Sequence, residues 1–255
     1  MDFCISSATD AGTRKKVNQD SLFVHKLETE TGNMAFAVLC DGMGGYAFGE
    51  AASAELVHAF KDWMYERLPL LSQNQLEDHL IRLEWNQIIQ KENDKIRSFA
   101  RQKGCTAGTT VTVLLLTESR YFLLNIGDTR AYRIGETVEQ LTADHTVAAR
   151  ELKLGNITRE QAEKSPFSNV LTKCVGVEEN VYPELFFGTV QKNVVYMLCS
   201  DGFRHFVTEK EFQEHLYRHG KKSPLEMKSR EEYLIALNKR RGETDNISVI
   251  TVCTS

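Results

Sequence analysis

The strongest constraint on this chain is a set of short β-branched and aromatic runs that are apolar on both alternating faces. They cover residues 34–40, 109–117, 121–126, 131–134, 194–199 and 247–252. A strand with one wet face alternates polar and apolar residues, so strands apolar on both faces must be covered on both. A second sheet on one side and helices on the other satisfy that demand. Helices are available at residues 50–67, where Ala51, Ala54, Val57 and Phe60 recur at helical spacing. A second stretch, residues 75–102, carries Leu76, Leu80, Leu83 and Ile88 in approximately the same pattern. Short polar turns such as Glu118-Ser119-Arg120 favour antiparallel hairpins over crossovers. The expected class is α+β: a four-layer αββα sandwich of two mainly antiparallel sheets flanked by helices.

No repeat, low-complexity tract or proline-rich linker divides the sequence, so residues 1–255 are expected to form a single domain. The stretch 145–176 differs from its surroundings: it is polar, partly helical around residues 147–153, and punctuated by Gly155, Pro166 and Gly176. It is expected to be a flap leaving the sandwich. A net charge of -4 gives no electrostatic reason to bind nucleic acid or an anionic membrane. No apolar run approaches the roughly 20 residues needed to span a bilayer, and the amino terminus shows no signal-peptide pattern. The 6 cysteines are scattered without a C-x-x-C pair and read as small hydrophobes, which suits a reducing cytoplasm.

An aspartate stands directly after an apolar run, or directly before one, in three places, followed each time by glycine or asparagine. These are Cys40-Asp41-Gly42-Met43-Gly44-Gly45, Ser200-Asp201-Gly202 and Thr244-Asp245-Asn246. A strand end fixes a carboxylate, and a following glycine lets a backbone carbonyl approach whatever the carboxylate binds. Each alone reads as a turn. Together they suggest clustered hard oxygen donors suited to magnesium or manganese. Neighbouring carboxylates without a cation would repel one another.

With these residues in view, the chain resembles the metal-dependent, type 2C serine/threonine protein phosphatases in their compact bacterial form. The resemblance runs in order through Asn18-Gln19-Asp20, Asp41-Gly42-Met43-Gly44-Gly45, Gly104 to Thr110, Gly127-Asp128-Thr129-Arg130, Leu141 to His145, Ser200-Asp201-Gly202 and Asp245-Asn246. It implies that Asp41 bridges two metal ions, Mn2+ or Mg2+, with the Gly42 carbonyl on one and Asp201 and Asp245 on the other. Asp20 would hold metal-associated water. A water bridging the two ions would then attack phosphorus in line. Asp128 corresponds to a residue that helps bind a third ion in family members; the other reading is a hairpin turn with Arg130 pairing locally. The run from Gly104 to Thr110 lacks a P-loop ending, so close strand packing explains it better.

The match departs at two positions. Where the family places an arginine to hold substrate phosphate, this chain has Lys15, flanked by Arg14 and Lys16. Lysine offers a point charge in place of a bidentate fork, and Arg14 could take the role; a solvated basic loop is the plainer alternative. Met43 stands where eukaryotic relatives often carry a proposed general-acid histidine, so the resemblance to bacterial members leaves that proton to a water on the metals. His145, at a helix start, reads as structural. The expected function is hydrolysis of phosphoserine and phosphothreonine in proteins, by a cytoplasmic monomer whose partners are phosphoproteins and a serine/threonine kinase. A phosphoprotein-binding pseudophosphatase and a phosphatase of small esters are the alternatives; intact Asp41, Asp201 and Asp245 argue against the first.

Overall fold

The layering is set by alternation along β3 (Gly32–Met43): Ala35, Ala37 and Leu39 point one way, Phe36, Val38 and Cys40 the other, and all are buried. The structure, a computed structural model, describes residues 1–29, 32–43, 48–73, 76–217 and 223–255. Gly44, Gly45 and Gln75, part of the expectations above, lie outside them.

One sheet runs β2 (Asp20–Thr29), β3, β5 (Val111–Leu116), β6 (Arg120–Ile126) and β9 (Glu184–Thr189), with β4 (Gly108–Thr109) paired to the end of β3. The other runs β1 (Phe3–Asp10), β11 (Ile247–Thr254), β10 (Val195–Cys199), β7 (Arg130–Ile134) and β8 (Val138–Gln140). Every pairing among these strands is antiparallel. Between the sheets, Ala37, Leu39, Leu114 and Leu123 meet Tyr196, Leu198, Ile250 and Val252. The outer face of the first sheet packs under α1 (Gly49–Glu66), α2 (Leu68–Ser72) and α3 (Asp78–Lys103), where Trp85 meets Phe36, Phe60 and Trp63 edge-on. The outer face of the second packs under α6 (Asp201–Arg204), α7 (Glu209–Phe212), a π-helical turn at Gln213–Tyr217 and α8 (Pro224–Arg240). The four-layer αββα sandwich expected from the strand pattern is therefore what the chain forms.

The helical stripes differ from expectation by a phase. In α1 the buried positions are Ala52, Leu56, Val57, Phe60, Trp63 and Met64, while Ala51 and Ala54 face outward. In α3 they are Ile81, Trp85, Ile89, Ile96 and Ala100; Leu83 is exposed and Leu80 and Ile88 are half-buried. The large aromatic side chains fix the phase, because burying Trp63 and Trp85 removes more apolar area from water than any leucine would. The run 109–117 is also divided, with Thr110 standing between β4 and β5.

In the stretch 145–176, α4 (Val147–Lys153) forms where expected and is followed by α5 (Arg159–Glu163). The stretch is tied down at its ends: Thr146 bridges to Leu171 and Val175 to Thr109. Buried Asn93 of α3 accepts a hydrogen bond from the Gly176 N–H at 2.7 Å and donates to the Glu178 carbonyl at 2.9 Å.

Candidate metal centre

One end of the sandwich gathers the ends of strands from both sheets, and each brings an aspartate. Asp20 opens β2 directly opposite Asp41 near the end of β3. Asp128 lies in the turn from β6 to β7, Asp201 follows β10 as the first residue of α6, and Asp245 precedes β11. Two glycines make this possible. A Cβ on Gly42 would lie 2.2 Å from the Gly49 carbonyl oxygen and 2.6 Å from that of Gln19, so no other residue lets these segments close on the Asp41 strand. Gly127 holds φ at +103°, which a side chain would resist, and turns the chain into Asp128.

The backbone around the aspartates is clamped. Thr110 Oγ1 accepts from the Asp41 N–H at 3.0 Å, the Thr110 N–H donates to the Asp41 carbonyl at 2.9 Å, and Thr109 Oγ1 donates to that carbonyl at 3.0 Å. The Asn246 side chain accepts from the Gln19 N–H at 2.9 Å and donates to the Ala11 carbonyl at 2.9 Å, joining the loop of Lys15 to the start of β11. Glu243 accepts from the Asp245 N–H at 2.9 Å and reaches His205 Nδ1 at 2.7 Å, while His205 Nε2 lies 3.5 Å from Asp201 Oδ2. Thr110, Glu243 and His205 were not singled out individually from sequence. For His205 the i, i+4 spacing from Asp201 was the available signal.

Electrostatically the cleft is strained in one direction. Burial, followed by the fields of Asp20, Asp201, Asp128 and Asp245, raises the Asp41 carboxyl well above its usual range. Burial and the charges of Asp201 and Asp245 push Asp20 to about 7, although the hydroxyls of Ser248 and Ser200 offset part of this. Asp128 is likewise raised to about 7 by burial and Asp201. Neither carboxylate oxygen of Asp20 closes a hydrogen bond, although both are buried. Buried carboxylates gathered together need a compensating positive charge, and an all-oxygen donor set suits a hard divalent cation. Among the described residues no three acidic, histidine or cysteine side chains already close on one point.

Lys15 is at the mouth of this cleft, its Nζ 3.0 Å from Asp245 Oδ1 and its side chain 44% exposed. Burial alone would lower its pKa, but the Asp245 hydrogen bond and the fields of Asp245, Asp41 and Asp201 raise it net. Arg14 is exposed and Met43 is 37% exposed at the end of β3. Arg130 does not pair with Asp128; it makes a two-pronged contact to Asp144, at 2.8 and 2.6 Å, and Arg204 faces Asp128 instead. Thr146 caps α4, its side chain accepting from the Ala149 N–H. His145 Nδ1 accepts from the Gly127 N–H at 3.0 Å and so fixes the turn before Asp128.

Comparison with known proteins places this arrangement. A family model described as Protein phosphatase 2C matches residues 9–233. The serine/threonine phosphatase stp of Listeria monocytogenes is 30% identical over 247 residues, covering 96% of this chain and 93% of its own. The solved structure of serine/threonine phosphatase Stp1 from Staphylococcus aureus superposes with a TM-score of 0.84 at 27% identity, covering 98% of this chain and 94% of its own. The catalytic domain of serine threonine protein phosphatase PstP, solved with 2 manganese ions, superposes with a TM-score of 0.76 at 26% identity, covering 98% and 97%.

Proposed function

The chain belongs to the protein phosphatase 2C family, and from that premise we propose that it hydrolyses phosphoserine and phosphothreonine in proteins, using divalent cations held by the aspartates at the strand ends. The observation that carries the reading is the cleft itself: Asp20, Asp41, Asp201 and Asp245 come from distant strand ends, and Asp20 has two buried oxygens that close no hydrogen bond. Mn2+ or Mg2+, two ions in the core, fit these hard donors, with metal dependence matching the manganese-bound relative. When bound, such ions supply an activated water nucleophile and neutralise charge on the transferring phosphoryl group.

The chain's own residues divide the remaining work. Asp41, Asp201, Asp245 and the Gly42 carbonyl would hold the ions, with Asp41 at the centre of the set. Asp20 is assigned to water beside them. Thr110 and Thr109 fix the Asp41 backbone, so the carboxylate is aimed before any ligand arrives. Lys15 is assigned to the substrate phosphate: its half-exposed ammonium, held at the mouth by a single contact to Asp245, can meet an incoming anion. Met43 has no proton to give, so protonation of the leaving oxygen would fall to a water held at the cations. Residues 145–176 form the flap over which a phosphoprotein would dock, within one domain spanning residues 1–255. No helix among the described residues is long and apolar enough to cross a membrane. A cytoplasmic monomer acting on the targets of a serine/threonine kinase completes the reading.

Turnover of p-nitrophenyl phosphate and of a phosphothreonine peptide, with and without manganese, tests it. The native chain is expected to act only with metal, and Asp41→Asn to be inactive while folded. A folded native chain that binds the phosphopeptide in manganese without turnover would make it a binding module. Preference for metabolite phosphates over the peptide would make it a small-ester phosphatase.

A further inference from the structure

Arg204 is the cation that sequence reasoning did not anticipate at the cleft. It ends α6, the short helix that Asp201 begins, and its side chain is only 13% exposed. Its Nη2 lies 3.4 Å from the Asp128 carbonyl oxygen, 3.7 Å from Asp128 Oδ2 and 3.9 Å from Asp144 Oδ2. Asp144 is already satisfied by the two-pronged contact from Arg130. The guanidinium of Arg204 is therefore left to Asp128, and its buried Nε has no hydrogen-bond partner. A charged group this deeply placed needs an anion, and Asp128 needs a cation.

We infer that Arg204 is a resident counter-ion of Asp128, occupying by side chain the electrostatic position that a further divalent ion would take, so that this chain binds its metals without Asp128. The inference rests on the reading above that the remaining aspartates hold divalent cations. A divalent ion placed on Asp128 would also face a fixed positive charge within a few ångströms in a poorly solvated corner, where such repulsion is weakly screened. Removing that charge should open Asp128 to a metal. Arg204 is thus a determinant of metal stoichiometry, acting through Asp128 without touching substrate.

Native mass spectrometry of the full chain at saturating manganese reads this directly. The wild type is expected to hold about two ions per chain, the number of a two-metal centre, and Asp128→Asn to leave that count unchanged. Arg204→Met, which keeps the length and removes the charge, is expected to gain one ion; adding Asp128→Asn to it should remove that ion again. Arg204→Lys, which keeps the charge, should hold the wild-type count. The proposal is overturned if the wild type holds three ions and Asp128→Asn two, or if folded Arg204→Met shows no gain. Should Arg204→Met not fold, Asp128→Asn in the wild-type background decides alone, since loss of an ion there contradicts the proposal. A wild type that takes up no manganese overturns the metal reading itself, an outcome distinct from a count of three.

Discussion

Two buried carboxylic acids in this molecule have the same raised pKa and opposite circumstances. Glu231, on α8, is fully covered against the outer face of the second sheet, and burial pushes it from 4.5 to about 7 despite hydrogen bonds from Thr251 and Ser6. Those hydroxyls donate at 2.6 and 2.7 Å, one to each oxygen. Asp20, at the cleft, is pushed from 3.8 to about 7 by burial and neighbouring aspartates, and the nearby hydroxyls of Ser248 and Ser200 close no hydrogen bond to either of its oxygens. A lone buried acid with hydroxyl partners is a piece of architecture that can be neutral. One without partners, among other acids, is arranged for something absent from the chain itself. Raised pKa values alone do not separate the two; the hydrogen-bond partners do.

The comparison breaks first if Glu231 proves to need its charge. Its folded pKa lies above its unfolded value, so its contribution to stability is full below about 4.5 and is lost as the pH rises through about 7. A shift of this size corresponds to about 3 kcal/mol at 1.36 kcal/mol per unit. Glu231→Gln keeps the shape, and the rotatable hydroxyls of Ser6 and Thr251 can accept from its amide. Urea unfolding at pH 8 is expected to find the variant more stable by about that amount, with no difference at pH 4. A variant less stable than wild type at pH 8 would show that the two hydroxyls favour the carboxylate more than burial opposes it.

The cleft should respond to metal where Glu231 does not. Manganese at a hundred times its dissociation constant is expected to stabilise the wild type by about 2.7 kcal/mol for each ion bound. Asp41→Asn should lose most of that gain and, in chelator, should be more stable than wild type because a source of repulsion is gone. Glu231→Gln should keep the full gain. A metal response undiminished in Asp41→Asn would place the cation elsewhere.

The carboxylates responsible were legible because each follows or precedes a strand that composition alone marks as buried: Asp41, Asp201 and Asp245 stand beside runs apolar on both faces. The strands those runs form were legible for the same reason. β1 was not, since Ser6, Ser7 and Thr9 interrupt its apolar residues, and Ser6 is buried only because Glu231 partners it. α8 escaped for the complementary reason: its buried stripe includes Glu231 and Asn238, so it carries little apolar periodicity. Pairings set by tertiary contact were out of reach as well. Arg130 lies two residues from Asp128 yet serves Asp144, and Asp128 is served by Arg204, 76 residues away. Linear proximity carried no information there.

A smaller effect tests whether the cleft is held ready before metal arrives. Thr110→Val removes the hydroxyl that accepts the Asp41 N–H and leaves that part-buried donor without it. A loss of about 1–2 kcal/mol in chelator is expected from the unsatisfied group, together with weaker manganese binding. Full metal affinity in a destabilised variant would mean that the cation, not the threonine, aims the carboxylate.

The smallest effect concerns the one lysine at the mouth. Lys15 meets Asp245 through a single contact at 3.0 Å, with its side chain 44% exposed, so the ion pair is worth little and is easily exchanged for a phosphate. An arginine in its place would offer a planar fork matched to two phosphate oxygens. Lys15→Arg is therefore expected to lower KM for p-nitrophenyl phosphate by about threefold, or about 0.6 kcal/mol, with kcat nearly unchanged. The converse outcome is also informative. The fork fits a carboxylate as well as a phosphate, so a raised KM with tighter pairing to Asp245 would show that residue 15 serves the aspartate. An unchanged KM would move the phosphate contact to another cation, with Arg14 next in line.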